Sequence, residues 1–522
     1  MALVWAIFGP FAAQADPDQG PVTLVIPPSE GPTLKEAREE FYGPSEATPP
    51  IHGEIGPSAS PSRPFTSQPS GLPPDQRQRL MNMKDEAAGR SWTLPQLIDE
   101  ALRRNPSTRV TWQQARSAAF NVKAAEAAYW PTLTMNLTGV ASDQTSPTFS
   151  GDSPEYMYVA FQPQIQLQWL LFDFGVREAD VDAARFALLA ENYAFNEQLQ
   201  NVVLNVMTNY YAYNGDRLKV ESARSSLKLS EKTLDRADLR QKSGLGTSTD
   251  VFEARQQVAQ SKFDLQAALG ELEEAKVRLA ASLGLPGNAP LAVTPPQRKV
   301  NLDVLNSTVD SLVNLALRQR QDLAEAYSNW QSQRADARSK DAAIWPTISL
   351  QITADNTFYD AEEEVGGATI NQDGDYGEAT GLLVFSWDFF DGGEKLNEAR
   401  SSRALAESAR EELANTELMA VAEVVVAYVL LQSATEQVKA GRALVESSRQ
   451  SFEATNIAYR NGLKNILDLL TAQNNLASAE ASLATALTDM YTAAADLADA
   501  TGSLLPMQDP LAARLRQQTQ NP

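Results

Sequence analysis

Two long stretches of the chain carry a helical pattern of apolar and polar positions. Residues 176–243 contain one glycine and no proline, and residues 394–461 share that description. A helix of about 65 residues, at about 1.5 Å rise per residue, reaches about 100 Å. Each stretch is followed by a glycine turn, at 243–246 and 461–464, and then by a second helical stretch. The pattern therefore predicts a long antiparallel helical hairpin in each half of the chain.

The second helix of each hairpin repeats every seven residues, with a small residue three positions after each large one. The large residues are Val251, Val258, Leu265, Leu272 and Leu279 in the first half and Leu469, Leu476, Leu483, Met490 and Leu497 in the second. The small ones are Ala254, Ser261, Ala268, Ala275 and Ser282, then Ala472, Ala479, Ala486, Ala493 and Ala500. A strict heptad favours left-handed supercoiling, and small residues let helix backbones approach closely.

Four other segments alternate as strands do. They are 132–138 and 156–172 in the first half, and 347–352 and 381–389 in the second, and each pair is separated by a polar loop. Strands of about 9–11 residues with one apolar face and aromatic ends are typical of outer-membrane barrels. Four strands are too few to close a barrel, and unpaired edges are not tolerated in lipid. Several protomers must then contribute strands to one shared barrel. Two protomers would give eight strands and three would give twelve, and only the twelve-stranded barrel leaves much of a lumen.

The two halves are copies of one unit. Leu97–Leu133 aligns without gaps to Leu312–Ile348, and the Trp-Pro-Thr at 130–132 recurs at 345–347. Farther on, Phe172-Asp173 matches Phe390-Asp391. The first repeat is predicted at 91–296 and the second at 297–506, followed by a tail at 507–522. Duplication over this distance indicates a pseudo-symmetric architecture.

Composition removes several classes of function. The 522 residues include no Cys and one His, and the net charge is −22. A nucleic-acid partner is disfavoured because phosphate binding needs clustered Lys and Arg. Without Cys there is no thiolate metal site or lipidated N-terminal Cys, and the one His, His52, lies in a Pro- and Gly-rich stretch. No nucleophile–base set is apparent, so we expect no enzyme activity, catalytic residue, metal or cofactor.

The N-terminal ninety residues have a different character. Residues 1–15 are apolar and end in Ala13-Gln14-Ala15, which is typical of a signal-peptide cleavage site although a basic start is missing. A membrane anchor is the less favoured interpretation, since about 20 apolar residues are needed. Residues 16–90 are rich in proline and are predicted to form an extended or disordered arm, either a linker or a docking arm.

In this order of elements the chain resembles the TolC-type outer-membrane channel family over about residues 91–506. The resemblance rests on the duplicated hairpins, the Trp-Pro-Thr strand entries and the Phe-Asp strand exits. It implies a mainly α fold with a small β part: a homotrimer whose twelve-stranded barrel crosses the outer membrane and continues as a helical α-barrel into the periplasm. It further implies a passive exit duct for efflux or type I secretion, coupled through a periplasmic adaptor to an inner-membrane transporter. Residues 284–296 resemble part of the family's equatorial belt.

The resemblance also suggests functional positions at the hairpin turns. Tyr459 and Lys464 correspond to the residues that hold Asp250 in the family's closed gate, with Lys in place of the family's Arg. Asp250 also has a structural interpretation as a helix N-cap. Asp468 is the candidate for a carboxylate ring at the aperture. The family often has a second Asp one turn later, where this chain has Thr471, and Glu253, at the equivalent place in the first repeat, is a weaker candidate to substitute for it. The adaptor-docking candidates are the tips Gly244-Leu245 and Gly462-Leu463, although turn geometry alone explains the glycines.

The main alternative is a structural protein, such as a periplasmic coiled-coil tether without a pore. The predicted strand pairs separate the two interpretations, because a rod does not need them.

Overall fold

The computed structural model describes residues 91–145, 155–296, 303–365 and 368–504. The first half contains β1 (Ser91–Trp92), α1 (Leu94–Arg104), α2 (Pro106–Ala127), β2 (Thr132–Thr145), β3 (Glu155–Phe172), α3 (Val176–Lys242), α4 (Ser248–Ser282) and β4 (Ala292–Val293). The second contains a 3₁₀ turn (Asp303–Asn306), α5 (Val309–Gln319), α6 (Gln321–Ala342), β5 (Thr347–Val365), β6 (Ala368–Ser386), α7 (Glu394–Arg460) and α8 (Ile466–Ala500). The predicted signal peptide, the arm and the C-terminal tail lie outside the described residues.

The helical prediction is confirmed. Both α3 and α7 are 67 residues long, and each is followed by a 35-residue helix, α4 or α8. The heptad residues form the contact between them: Val251, Leu279, Leu469 and Leu497 are buried, as are the small residues Ala254 and Ala472. Gly215 of α3 marks the closest approach, since a Cβ there would lie 2.0 Å from Thr488 Oγ1 of α8. The large-and-small alternation therefore sets how closely the helices pack.

The four long strands form one antiparallel sheet in the order β2-β3-β5-β6. Leu133 lies opposite Leu167, Leu167 opposite Ile352, and Ile352 opposite Gly381, so one face carries an apolar row across all four strands. The other face carries glutamines and threonines, including Gln166 opposite Thr353. Within the described residues, β2 and β6 each have a partner on one side only.

Three of the four strands extend beyond the predicted segments. The strands contain 14, 18, 19 and 19 residues. Strand β3 matches the predicted segment 156–172 to within one residue, whereas β2, β5 and β6 extend beyond 132–138, 347–352 and 381–389. The polar stretches expected to be loops continue the hairpins, because backbone pairing between antiparallel neighbours does not depend on the polarity of the side chains. The last strand also ends at Ser386, so the expected strand residues up to Phe389 belong to the connection with α7.

The Phe-Asp motifs start the long helices. Asp173 accepts the backbone N–H of Gly175 at 3.3 Å and of Arg177 at 3.0 Å. Asp391 repeats this with Gly393 at 2.8 Å and Lys395 at 3.0 Å. In each case a carboxylate satisfies amides at a helix N-terminus, where the helix dipole favours negative charge.

Arg177 also ties the sheet to the helices. Its guanidinium donates to Asp173 Oδ2 at 2.7 Å and to the Leu170 carbonyl at 2.6 Å, and it lies 4.9 Å from the centre of the Tyr129 ring. The β-bulge between Leu170 and Phe172 lies beside this contact. The residue at the equivalent position in the second repeat is Lys395, which has a different donor geometry. The junction is therefore built differently in the two halves.

A small layer packs on the middle of the hairpins. Strands β1 and β4 pair in parallel, and the Tyr210 hydroxyl of α3 donates to the Thr294 carbonyl just after β4 at 2.8 Å. In the second repeat the Tyr428 hydroxyl of α7 donates to the Leu305 carbonyl at 3.3 Å. Residues 284–296, which were predicted to form part of an equatorial belt, thus lie beside the middle of α3.

Arg320 joins three helices at the same level. Its guanidinium contacts Asp322 Oδ2 at 2.7 Å, Glu423 Oε2 of α7 at 2.6 Å and the carbonyl of Ala500 at the end of α8 at 3.3 Å. Other carboxyl groups lie nearby without a cation of their own in the described residues. Burial raises the pKa of Asp499 to about 6. Burial, with the charges of Glu197, Glu191 and Asp322, raises the pKa of Glu325 to about 7.

We predict that Glu325→Gln removes part of the pH dependence of stability. The pKa of Glu325 is raised from 4.5 to about 7. The contribution of this group to the free energy of unfolding is therefore fully present below about pH 4.5 and is lost as pH rises through about 7. The neutral variant should raise Tm by about 2 °C at alkaline pH and leave it unchanged in mild acid. Differential scanning fluorimetry in detergent measures this, with Glu411→Gln on the exposed face of α7 as the control. An equal shift at both pH values would contradict the assignment.

Candidate functional site

The two hairpin tips share one backbone geometry. Gly244 and Gly462 have φ of 71° and 76°, the left-handed region that favours glycine. The N–H of Leu245 donates to the Arg240 carbonyl at 2.9 Å, and that of Leu463 donates to the Ala458 carbonyl at 2.9 Å. This is the Schellman arrangement that ends a helix. The turn explains both glycines, and it leaves the side chains of Leu245 and Leu463 72% and 78% exposed.

The helices that follow begin with matched capping boxes. Thr247 Oγ1 accepts the N–H of Asp250 at 3.2 Å, and the Asp250 carboxylate accepts the N–H of Thr247 at 3.0 Å. Asn465 and Asp468 repeat the exchange, at 2.8 and 3.4 Å. The interpretation of Asp250 as the N-cap itself is wrong: Thr247 is the N-cap, and Asp250 closes the box three residues on.

Lys464, in the turn, pairs with the helix that follows it. Its Nζ lies 3.4 Å from Asp468 Oδ1, and both side chains are partly exposed. The contact of Lys464 with Asp250 that the resemblance implied is not present in the described part of the protomer. Lys464, a candidate for the gate, and Asp468, a candidate for the aperture, therefore contact each other. Glu253 lies three residues after Asp250, half exposed on the first turns of α4.

Tyr459 is held by an arginine from the other repeat. Arg240, in the last turn of α3, donates from Nη1 to the Tyr459 carbonyl at 2.7 Å and from Nη2 to the Leu245 carbonyl at 3.3 Å. The same guanidinium lies 4.9 Å from the centre of the Tyr459 ring. A planar cation that stacks on a ring and donates from two nitrogens is a role that Arg fills and Lys does not.

Burial of Tyr459 leaves its hydroxyl without a hydrogen-bond partner among the described residues. Burial raises the pKa of Tyr459; the nearby Arg240 opposes that shift and the carboxylate of Asp250 adds to it. Tyr459 and Asp250 are thus electrostatic neighbours, as the resemblance implied, although Asp250 makes its hydrogen bond to Thr247.

A basic recess lies beside these contacts. It has a volume of about 560 Å³ and is lined by Arg236, Leu239, Arg240, Leu245, Tyr459, Arg460, Asn461 and Gly462. Arg236 donates to Asn456 Oδ1 at 2.8 Å and so links α3 to α7 one turn above Arg240. The tip therefore combines exposed leucines, a cationic recess and two helix-starting carboxylates.

Sequence reasoning missed Arg240 and Arg236. The comparison of repeats contained a signal, because the positions equivalent to them in the second repeat are Ala458 and Ala454. An arginine at a position where the duplicated helix has alanine indicates a contact that joins the two repeats. In the described ranges, no group of three or more His, Asp or Glu side chains is placed to hold a metal ion.

Comparison with known proteins gives this architecture a family. The model of the outer membrane efflux protein family matches residues 97–285 and 312–503. Outer membrane protein OprJ of Pseudomonas aeruginosa is 26% identical over 387 residues, which cover 73% of this chain and 78% of OprJ. Alkaline protease secretion protein AprF of the same species is 25% identical over 349 residues, which cover 65% of this chain and 69% of AprF. The solved structure of the outer-membrane channel OprN superposes with a TM-score of 0.67 at 20% identity, covering 81% of this chain and 92% of OprN.

The chain belongs to the outer membrane efflux protein family, and its place is the outer membrane. The predicted resemblance to TolC-type channels is confirmed. None of the relatives named above is an enzyme. The coiled-coil tether is not supported, because such a rod has no use for an amphipathic four-stranded sheet.

We predict that Arg240→Ala loosens the tip. Loss of the contacts with Tyr459 and Leu245 should speed hydrogen exchange of the amides at 459–465 about fivefold, the effect of about 1 kcal/mol. Lys242→Ala is the matched control, because it removes the same charge two residues on from an exposed side chain. Exchange measured by mass spectrometry that changes equally in both variants would contradict the specific role of Arg240.

Proposed function

We propose that the protein is a trimeric exit duct of the outer membrane, gated at its periplasmic tip and coupled to an inner-membrane transporter through a periplasmic adaptor. The observation that carries the proposal is the four-stranded sheet, whose two edges have no partner strand in the described part of the chain. In lipid, every backbone N–H and C=O of a sheet must be paired, so β2 of one protomer needs β6 of another. Three protomers supply twelve strands and a lumen.

The faces of the sheet support this arrangement. The apolar face has no covering layer in the described residues, and Leu133 is 72% exposed on it. An outward apolar face and an inward polar face are the pattern of a membrane barrel. The Trp indole N–H groups at the helix end of the sheet are paired: Trp169 donates to the Tyr129 carbonyl at 3.0 Å and Trp387 to the Ile344 carbonyl at 3.3 Å. Trp in this position is typical of a membrane interface.

An unpartnered face of α7 supports the trimer. It exposes Leu418, Met419, Val425, Val426, Val429 and Leu430. The helix has a stretch with a mean hydropathy of 1.8, of which 28% is buried in the protomer. Exposed apolar patches of this size mark contact surfaces. A second copy of the chain is the occupant we propose, because α7 continues from β6, the edge strand that needs a neighbouring protomer.

The gate is proposed at the tips. Tyr459 is held by Arg240 and is close enough to Asp250 for that carboxylate to raise its pKa, and Lys464 pairs with Asp468 in the first turn of α8. Three copies of Asp468 around an axis would form a carboxylate ring. At a separation of about 6 Å and an effective dielectric of about 20, each pair repels by about 3 kcal/mol, which favours bound cations. Glu253 is a second contributor to this ring.

The function is tested by conductance in planar bilayers. The purified protein should form ion-conducting pores that prefer cations and are blocked by divalent ions. Asp468→Asn should reduce the cation-to-anion permeability ratio severalfold and weaken the block by Mg²⁺. Glu480→Gln, on the same helix but away from the tip, should leave both unchanged. Absence of pores would overturn the duct, whereas pores with unchanged selectivity in Asp468→Asn would overturn only the aperture.

The exposed Leu245 and Leu463 are proposed as adaptor contacts. Each is an apolar side chain carried on a rigid glycine turn, and the basic recess lies between the two tips. The tips would meet a helical adaptor, which links the duct to a proton-driven or ABC transporter. We assign the choice of cargo to that transporter.

Leu245→Ser combined with Leu463→Ser should weaken binding of the adaptor about tenfold, the loss of about 1.4 kcal/mol of apolar contact. Pull-down with a purified periplasmic adaptor measures the effect, and trimers should persist. Leu317→Ser, an exposed leucine of α5 outside the tips, is the control. Unchanged adaptor binding in the double variant would leave turn geometry as the whole role of these residues.

A further inference from the structure

The strands carry negative charge without a counterion. From residue 132 to 172 and from 347 to 386 the sequence has no Lys, Arg or His. The same four strands contain Asp or Glu once in β2, once in β3, five times in β5 and three times in β6. Membrane strands that bear acidic and no basic residues are expected to attract cations into a lumen.

Two of these carboxylates face each other. Asp355 of β5 lies directly opposite Glu378 of β6, so both side chains point to the same face of the sheet. Like charges in directly opposed positions destabilise a strand pair. Their partners are neutral: Gln162 donates to Asp355 Oδ2 at 2.9 Å, and Thr380 donates to Glu378 Oε1 at 3.0 Å. A bound cation would relieve this repulsion.

Tyrosine rings lie beside the carboxylate pair. The Tyr158 and Tyr359 rings are stacked with centres 6.4 Å apart, and Tyr376 follows at 6.1 Å from Tyr359. Tyr156 extends the row at 6.2 Å from Tyr158. Tyr359 lies two residues after Thr357 and four after Asp355 on β5, which places all three side chains on one face. The tyrosines thus line the polar face, not the apolar one.

A buried hydroxyl marks the space between the rings and the acids. Thr357 is 3% exposed, and its Oγ1 has no hydrogen-bond partner among the described residues. It lies between Asp355 and Tyr359 on the same face and opposite Tyr376 of β6. Ala160 and Ala361 are buried on this face beside the rings. An unpaired buried hydroxyl costs free energy unless a ligand or water satisfies it.

We propose that Asp355, Glu378 and the tyrosine row form a binding station for organic cations, in particular quaternary ammonium or aromatic cations, inside the barrel. Aromatic faces attract such cations and the carboxylate pair neutralises them, the combination that recognises quaternary ammonium groups. The inference rests on the proposed duct, because the polar face becomes the lumen only in a closed barrel. The station adds a class of ligand to the proposed duct. The station lies in the strands, at the opposite end of the molecule from the aperture.

The test uses benzyltrimethylammonium as the probe and benzenesulfonate as an aromatic anion of similar size. Isothermal titration of the detergent-solubilised protein measures binding without requiring conduction. The cation should bind and the anion should not. Tyr359→Leu and the pair Asp355→Asn with Glu378→Gln should each weaken cation binding about tenfold.

Asp360→Asn is the matched control, because it removes one charge from the same strand on the opposite face. It should bind the cation as the natural chain does, and so should Asp468→Asn at the far aperture. Equal binding of cation and anion, binding unaffected by the strand variants, or binding lost in Asp360→Asn would each overturn the station. Pores that form normally while the cation fails to bind would contradict the station alone, whereas absence of pores would contradict the duct.

Discussion

A β-sheet in a membrane can leave no backbone group unpaired, because lipid offers no hydrogen bonds. In this protein that constraint falls on β2 and β6, the two edges of a sheet of only four strands. Neither edge is shielded by a helix or a bulge in the described residues. The protomer alone therefore leaves these strand edges unpaired, and the proposed symmetric arrangement of copies would pair them around a lumen lined by the polar face.

The helices extend far from the sheet, so one globular core cannot hold them together along their whole length. They are held by a contact that repeats every seven residues, in which a large apolar side chain alternates with Ala or Ser. Specific residues fix the ends of the long helices: Asp173 and Asp391 start α3 and α7, and Gly244 and Gly462 end them. In the middle, Arg320 and its carboxylates fix the level at which α6, α7 and α8 meet.

Much of this fold was readable from the sequence because its signals are local and occur twice. The absence of proline in 176–243 and 394–461 predicted the two long helices within a residue or two. The heptads identified many of the buried residues, although Leu265, Leu272, Leu476 and Leu483 are only partly buried. Strand lengths were underestimated, because alternation of polarity fades where both faces become polar while backbone pairing continues. The segment of β5 that contains its glutamates was predicted as a loop for that reason.

The tip was harder to read, because its contacts join residues more than two hundred positions apart. The contact of Lys464 with Asp250 stays a prediction; within the protomer, the Lys464 ammonium lies 3.4 Å from Asp468, four residues on in the first turn of α8. The cation that does reach Tyr459 is Arg240, from the other repeat. A pattern within one helix could not reveal that contact, and only the difference between the repeats pointed to it. The tyrosine row escaped notice similarly, since it forms across three strands.

The central claim is that three chains share one barrel. The most direct measurement is the mass and outline of particles extracted in detergent from separated outer membranes, by light scattering and negative-stain imaging. The account predicts three copies of the chain in a rod about 100 Å long or more, since α3 alone spans that length, with a detergent belt near one end. A particle of one or two chains, or one without a detergent belt, would contradict it.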